Sequence, residues 1–167
     1  MSTPIPAHHP ISSITEDDLR NFAALVPPSG TEILRLLGVK AGLTLLNGLA
    51  GVRVVVPKGP CNNAGGKRVW NYLAAVIGVD AMNVLAKEMG GECLKVPTLY
   101  SLRSERRNHA IRMQFDRLTA PAPAGEGLSK FRAMQELVLL HAPITCRHLE
   151  TVLDRPSPEP ACQTTLF

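Results

Sequence analysis

The sequence predicts a mainly α-helical chain with short β-strands: a helical N-terminal domain carrying a small strand ribbon, then a C-terminal helix-turn-helix. Three observations carry this prediction. Apolar residues recur at helical spacing, as in Ile33, Leu34 and Leu37 and again in Ile111, Phe115 and Leu118. A pattern of helix, glycine turn, β-branched strand and proline occurs twice. Near the C-terminus, two short helical patterns flank Ala142-Pro143-Ile144.

The bulk properties limit what the chain can be. Its 167 residues suit one or two small domains. Apolar residues make up 45%, enough for a core, and aromatics only 4%, so that core is aliphatic. The net charge of +4 is modest, so clustering of charge matters more than its total. Cys61, Cys93, Cys146 and Cys162 are far apart and form no CxxC pair, which argues against a disulfide framework or a zinc site. Reduced thiols in a bacterial cytoplasm are the expectation. Lys40, Asn47 and Arg53 interrupt the longest apolar stretch, Leu36 to Val56, so no membrane span is expected. No signal peptide is visible at the start.

Residues 1–14, rich in Pro, Ser and His, read as a flexible tail. Its His8-His9 pair lacks the further ligands a metal site needs. Thr15 can cap a first helix, with Asp18 at the third helical position. Pro27-Pro28-Ser29-Gly30 breaks that helix, and Thr31 can cap the next.

The repeat then begins. Leu37-Gly38-Val39-Lys40-Ala41 matches Ile77-Gly78-Val79-Asp80-Ala81, 40 positions on. The same offset relates Leu45 to Leu85, Gly51 to Gly91, Val56 to Val96 and Pro57 to Pro97. Glycine suits a sharp helix-to-strand turn because it takes positive φ without a steric penalty. Proline ends each strand because it lacks the N–H that a ladder needs. Two copies are too few for a solenoid and fit helix–strand units that pair in a small sheet or across a dimer. Between them, 58–67 reads as a Gly- and Asn-rich loop. Lys67 is followed by Arg68, so the phosphate-loop spacing fails. Trp70, Leu73, Ala74 and Ile77 make an apolar helical face.

After Pro97 the segment from Thr98 to Leu118 carries five arginines against two acids. Clustered positive charge is what phosphate binding needs, and a solvated helix face is the plain alternative. Residues 119–127, TAPAPAGEG, read as a linker and domain boundary. In 128–155, Phe131, Met134, Leu137 and Val138 lie in the first helix, and Leu149, Val152 and Leu153 in the second. Thr145 caps the second, whose outer face holds Cys146, Arg147, His148, Glu150 and Thr151. A plain helical hairpin would show the same pattern. Residues 156–167 read as a disordered, proline-rich tail.

The run GGECLKVPTLYSLRSERRNHAIRMQF followed by a helix-turn-helix resembles the Mor transcription activator family of Mu-like phages. The resemblance covers about Gly38 to Leu153. It implies a homodimer with residues 15–118 as the dimerisation domain. It also implies two helix-turn-helix units on a pseudo-palindromic promoter and contact with host RNA polymerase. Gly90, Gly91, Glu92, Leu94, Lys95, Val96 and Pro97 would then form the intersubunit, DNA-adjacent strand element. Arg103, Arg106, Arg107 and Arg112 would contact phosphates, while Thr145, Arg147, His148 and Thr151 would lie on the recognition helix. Four places depart from the family pattern, one of them the linker 119–127, which is longer and richer in Pro and Ala than usual. Glu92 stands where Gln is usual, Lys95 where an aromatic is usual, and Ala142-Pro143 where the turn usually has Gly.

The final QTTLF resembles the peptide by which bacterial proteins dock on the DNA polymerase sliding clamp. Leu166 and Phe167 would fill an apolar pocket and Gln163 would fix orientation. The sequence therefore predicts a DNA-binding transcription activator of a phage or prophage, with a clamp-docking adaptor as the alternative. No nucleophile–base set, carboxylate pair or metal spacing is visible, so neither catalysis nor a cofactor is expected.

Overall fold

The computed structural model describes residues 13–60 and 63–155. Cys61, Cys162, His8-His9 and the clamp-type peptide Gln163, Leu166 and Phe167 lie outside them. The described residues are mainly helical, with a two-stranded antiparallel sheet. The helices are α1 (Glu16–Asn21), α2 (Pro28–Gly48), α3 (Ala64–Ile77), α4 (Val79–Met89), α5 (Tyr100–Thr119), α6 (Lys130–Leu140) and α7 (Cys146–Asp154). The strands are β1 (Arg53–Val55) and β2 (Cys93–Lys95). They divide into two compact units that meet in sequence between Leu99 and Tyr100.

In the first unit, Thr15 caps α1 and Asp18 returns the bond to the Thr15 backbone N–H at 2.8 Å, the expected reciprocal cap. Ile14 departs from the flexible-tail expectation. It is buried, and its backbone N–H and C=O both bond the Asn47 carboxamide at 2.9 Å. The second helix starts earlier than Thr31. Pro28 takes the first helical position, where its missing N–H costs nothing, and Thr31 lies inside the first turn. Likewise α3 begins within the expected 58–67 loop. Asn63 caps it by accepting from the Gly66 N–H at 2.8 Å, which offsets the poor helix propensity of Gly65 and Gly66.

The repeat is real in three dimensions. Gly38 breaks α2 at φ 76°, ψ 165°, and Gly78 separates α3 from α4 at φ 90°, ψ 154°. Gly51 and Gly91 turn the chain into each strand at φ 79° and 93°. The strands pair Arg53 with Lys95, Val54 with Leu94 and Val55 with Cys93. Val54 and Leu94 are themselves repeat equivalents, so a local two-fold axis passes through their pair. The flanking hydrogen bonds obey it. Gly51 N–H donates to Val96 O at 2.9 Å and Gly91 N–H to Val56 O at 2.8 Å. Val56 N–H donates to Glu92 O and Val96 N–H to Val52 O, both at 2.9 Å.

The ribbon assigned by family resemblance to two subunits is thus formed inside one chain. Leu94, Val56 and Val96 are buried, whereas Arg53, Val55, Cys93 and Lys95 face outward, as strand alternation requires. Beneath lies an aliphatic core. Leu45 and its equivalent Leu85 are fully buried, as are Leu46, Leu73 and Met82. Each such side chain contributes about 1.5–3 kcal/mol of transfer free energy. Trp70 is buried, as expected. Within the copies some equivalent positions differ in size, as at Gly42 and Met82, 40 positions apart.

The second unit joins α5, α6 and α7 around one core of Ile111, Leu118, Ala133, Met134, Leu137, Ile144, Leu149 and Val152. Phe115 packs against it, so the expected face of α5 is present. The expected boundary at 119–127 is displaced. That stretch is a hydrogen-bonded loop folded onto the end of α5. Glu126 N–H reaches Arg117 O at 3.1 Å and Leu128 N–H reaches Leu118 O at 2.8 Å. Its composition reads as a linker, but backbone bonding back onto α5 keeps α5 with the helices that follow.

Candidate nucleic-acid interface

The site is built on α5 and α7 within the second unit. Ser129 caps α6, and a turn from His141 to Thr145 leads to α7. The Thr145 hydroxyl accepts from the His148 N–H at 3.2 Å, so Thr145 fixes the start of α7. Leu149 and Val152 turn inward. Spacing on a helix then leaves Arg147, His148, Glu150 and Thr151 outward, and all four are exposed. Thr151 Oγ1 donates to the Arg147 backbone C=O at 2.9 Å, which holds its hydroxyl against its own helix.

The arginines of α5 do not act as one group. Arg112 is largely enclosed. It forms an ion pair with Glu105, and the two side chains are only 15% and 18% exposed. It also donates from Nη1 to Val152 O at 3.2 Å, tying the middle of α5 to the end of α7. This corrects the expectation that Arg112 contacts phosphate, because a guanidinium committed to a partly buried carboxylate and a carbonyl is structural. Arg117 pairs at the surface with Glu126 at 3.4 Å. Arg103 and Arg106 are half-buried.

Arg107 is exposed and reaches α7. Its Nη2 lies 3.5 Å from His148 Nε2, a long contact joining residues 41 apart in sequence. A guanidinium can only donate, so Nε2 is the acceptor side of this contact. His141 lies close by. Its Nε2 is 2.7 Å from Gln114 Oε1. Burial, and then the charge of Arg107, hold the His141 imidazole below its ordinary pKa. His141 and His148 are seven positions apart in sequence, and the fold brings both near Arg107. Arg107, Ile111, Gln114 and Leu118 share one stripe of α5, which explains why the basic residue and the core residues point toward the same neighbours.

In the first unit Arg53 sits directly across the ribbon from Lys95. Two like charges at opposed positions cost a few tenths of a kcal/mol to about 1 kcal/mol. Among the expected strand residues, Gly90 and Gly91 form the turn, Leu94 and Val96 are inside, Glu92 and Lys95 are outside, and Pro97 ends the strand. Among the described residues no helix is long and apolar enough to cross a membrane, and no group of three His, Cys, Asp or Glu could hold a metal ion.

No family model, curated protein or solved structure matches the chain. The likeness to Mor activators therefore rests on the residue pattern quoted above.

Proposed function

We propose that the second unit binds duplex DNA in the manner of a helix-turn-helix transcription regulator, with α7 in the major groove. The observation that carries this reading is the outward face of α7 together with Arg107. Arg147 and His148 project from the first turn, where recognition helices meet base edges, and Arg107 from α5 stands beside them. Arginine fits guanine or phosphate, and an imidazole can donate to or accept from a base edge. Arg103 and Arg106 add positive charge along the same helix as Arg107. Resemblance to the Mor family supports a role at promoters with RNA polymerase as the protein partner.

The test is fluorescence anisotropy on labelled mixed-sequence duplexes over a salt series. Binding should weaken steeply with salt. Each of Arg107→Ala and Arg147→Ala should weaken it further, and loss of one phosphate contact should flatten the log–log salt slope by about 0.9. Affinity indifferent to salt and to both substitutions would end the proposal.

A further inference from the structure

We propose that the first unit is a pseudo-dimer within a single chain, so that one chain engages one non-palindromic DNA half-site. This rests on the DNA-binding reading above and names the form of its partner. The two-fold axis through Val54 and Leu94 relates the two copies of one chain. All four flanking backbone bonds form between them, from Gly51 to Val96 and from Gly91 to Val56. The close packing at the turns follows the same symmetry. A methyl group placed on Gly51 would lie 3.2 Å from Thr98 Cγ2, and one on Gly91 would lie 2.8 Å from Lys58 Cε. Lys58 and Thr98 are again 40 positions apart.

A strand supplied by a second subunit would have to displace a bonded partner already attached to the same chain. Growth at the outer edges is also discouraged. The strands are three residues long, Arg53 and Lys95 charge them, and Pro57 and Pro97 end them. The duplication stops there. The body has two halves, but only the second half continues into α5, α6 and α7. Among the described residues, a symmetric body followed by one reading helix has no second such helix to place on an inverted half-site. Palindromic operators mirror the two-fold of a dimer that carries two such helices.

The full chain would be selected against randomised duplexes. Its complexes would then be resolved on native gels after mixing with a tagged, slower-migrating version of itself. The expected result is an enriched asymmetric motif, one chain per duplex, and only two shifted bands. An enriched inverted repeat with a third, intermediate band would overturn the single-chain inference while leaving DNA binding intact. A dimer of the 18.0 kDa chain in sedimentation without DNA would also overturn it. Absence of any enrichment would sink the DNA-binding reading and this one with it.

Discussion

Arg112 separates two accounts of the basic helix, and replacing it by Ala tests them. If it serves phosphate, the substitution weakens DNA binding and leaves the fold alone. The geometry says the reverse. Removing Arg112 strands the Glu105 carboxylate, whose side chain is only 18% exposed, and frees the Val152 carbonyl. Breaking a buried pair from one side costs about 3–5 kcal/mol, and the residual exposure here favours the lower end, about 3 kcal/mol. The lost charged hydrogen bond overlaps with that figure and does not add to it in full. In a small domain each kcal/mol moves Tm by roughly 4–8 °C, so a fall of about 12 °C or more is expected. Circular dichroism during thermal and urea unfolding reads this directly. The double change Arg112→Leu with Glu105→Leu should recover most of the loss, because no charge is then left unpaired. An Arg112→Ala chain that keeps its Tm but loses DNA affinity would refute the reasoning.

Three further outcomes are expected. His141 has a lowered pKa in the fold, so the unfolded chain binds the proton first. Stability should therefore be intact above the ordinary value of 6.5 and fall as pH drops below it, and His141→Gln should flatten that dependence in urea titrations. An equal acid sensitivity in both proteins would contradict this. Gly51→Ala and Gly91→Ala each force a side chain to positive φ and should each cost about 1–2 kcal/mol, in matching amounts because the sites are equivalent. Chemical denaturation checks this, and a loss at one site alone would argue against local symmetry. Thr145→Ala should cost about 1 kcal/mol through loss of the α7 cap, and Thr145→Ser should restore it. Unchanged stability in the alanine variant would show that the cap contributes nothing.

Much of the fold was legible because its elements obey local rules. The Thr15 cap, the inward stripe Ile111–Phe115–Leu118 and the Thr145 start of α7 all follow from spacing and side-chain chemistry. The repeat was visible through its glycines and prolines. Its register was not, since a three-residue strand holds too little alternation to say which residue faces which. Composition misled at 119–127, where Pro, Ala and Gly announce a loop but say nothing of whether its backbone bonds back to a helix. At Asn63 a single cap outweighed two glycines. Arg112 was misread for a different reason. Charge is a property of the residue, but burial depends on Glu105 and Val152, one two turns away on the same helix and the other on α7.

The internal two-fold has a consequence for how such a chain can change. At an interface between identical subunits every substitution occurs twice, once on each side of the axis. An enlargement at one position must then be tolerated against its own image. Two halves within one chain are free of that constraint. A bulky residue in one half can be answered by a small one in the other, and Gly42 with Met82 shows equivalent positions that do not match in size. The backbone keeps the symmetry through four glycines and two prolines, while the side chains are free to become two different surfaces. Selection on one half need no longer be selection on both.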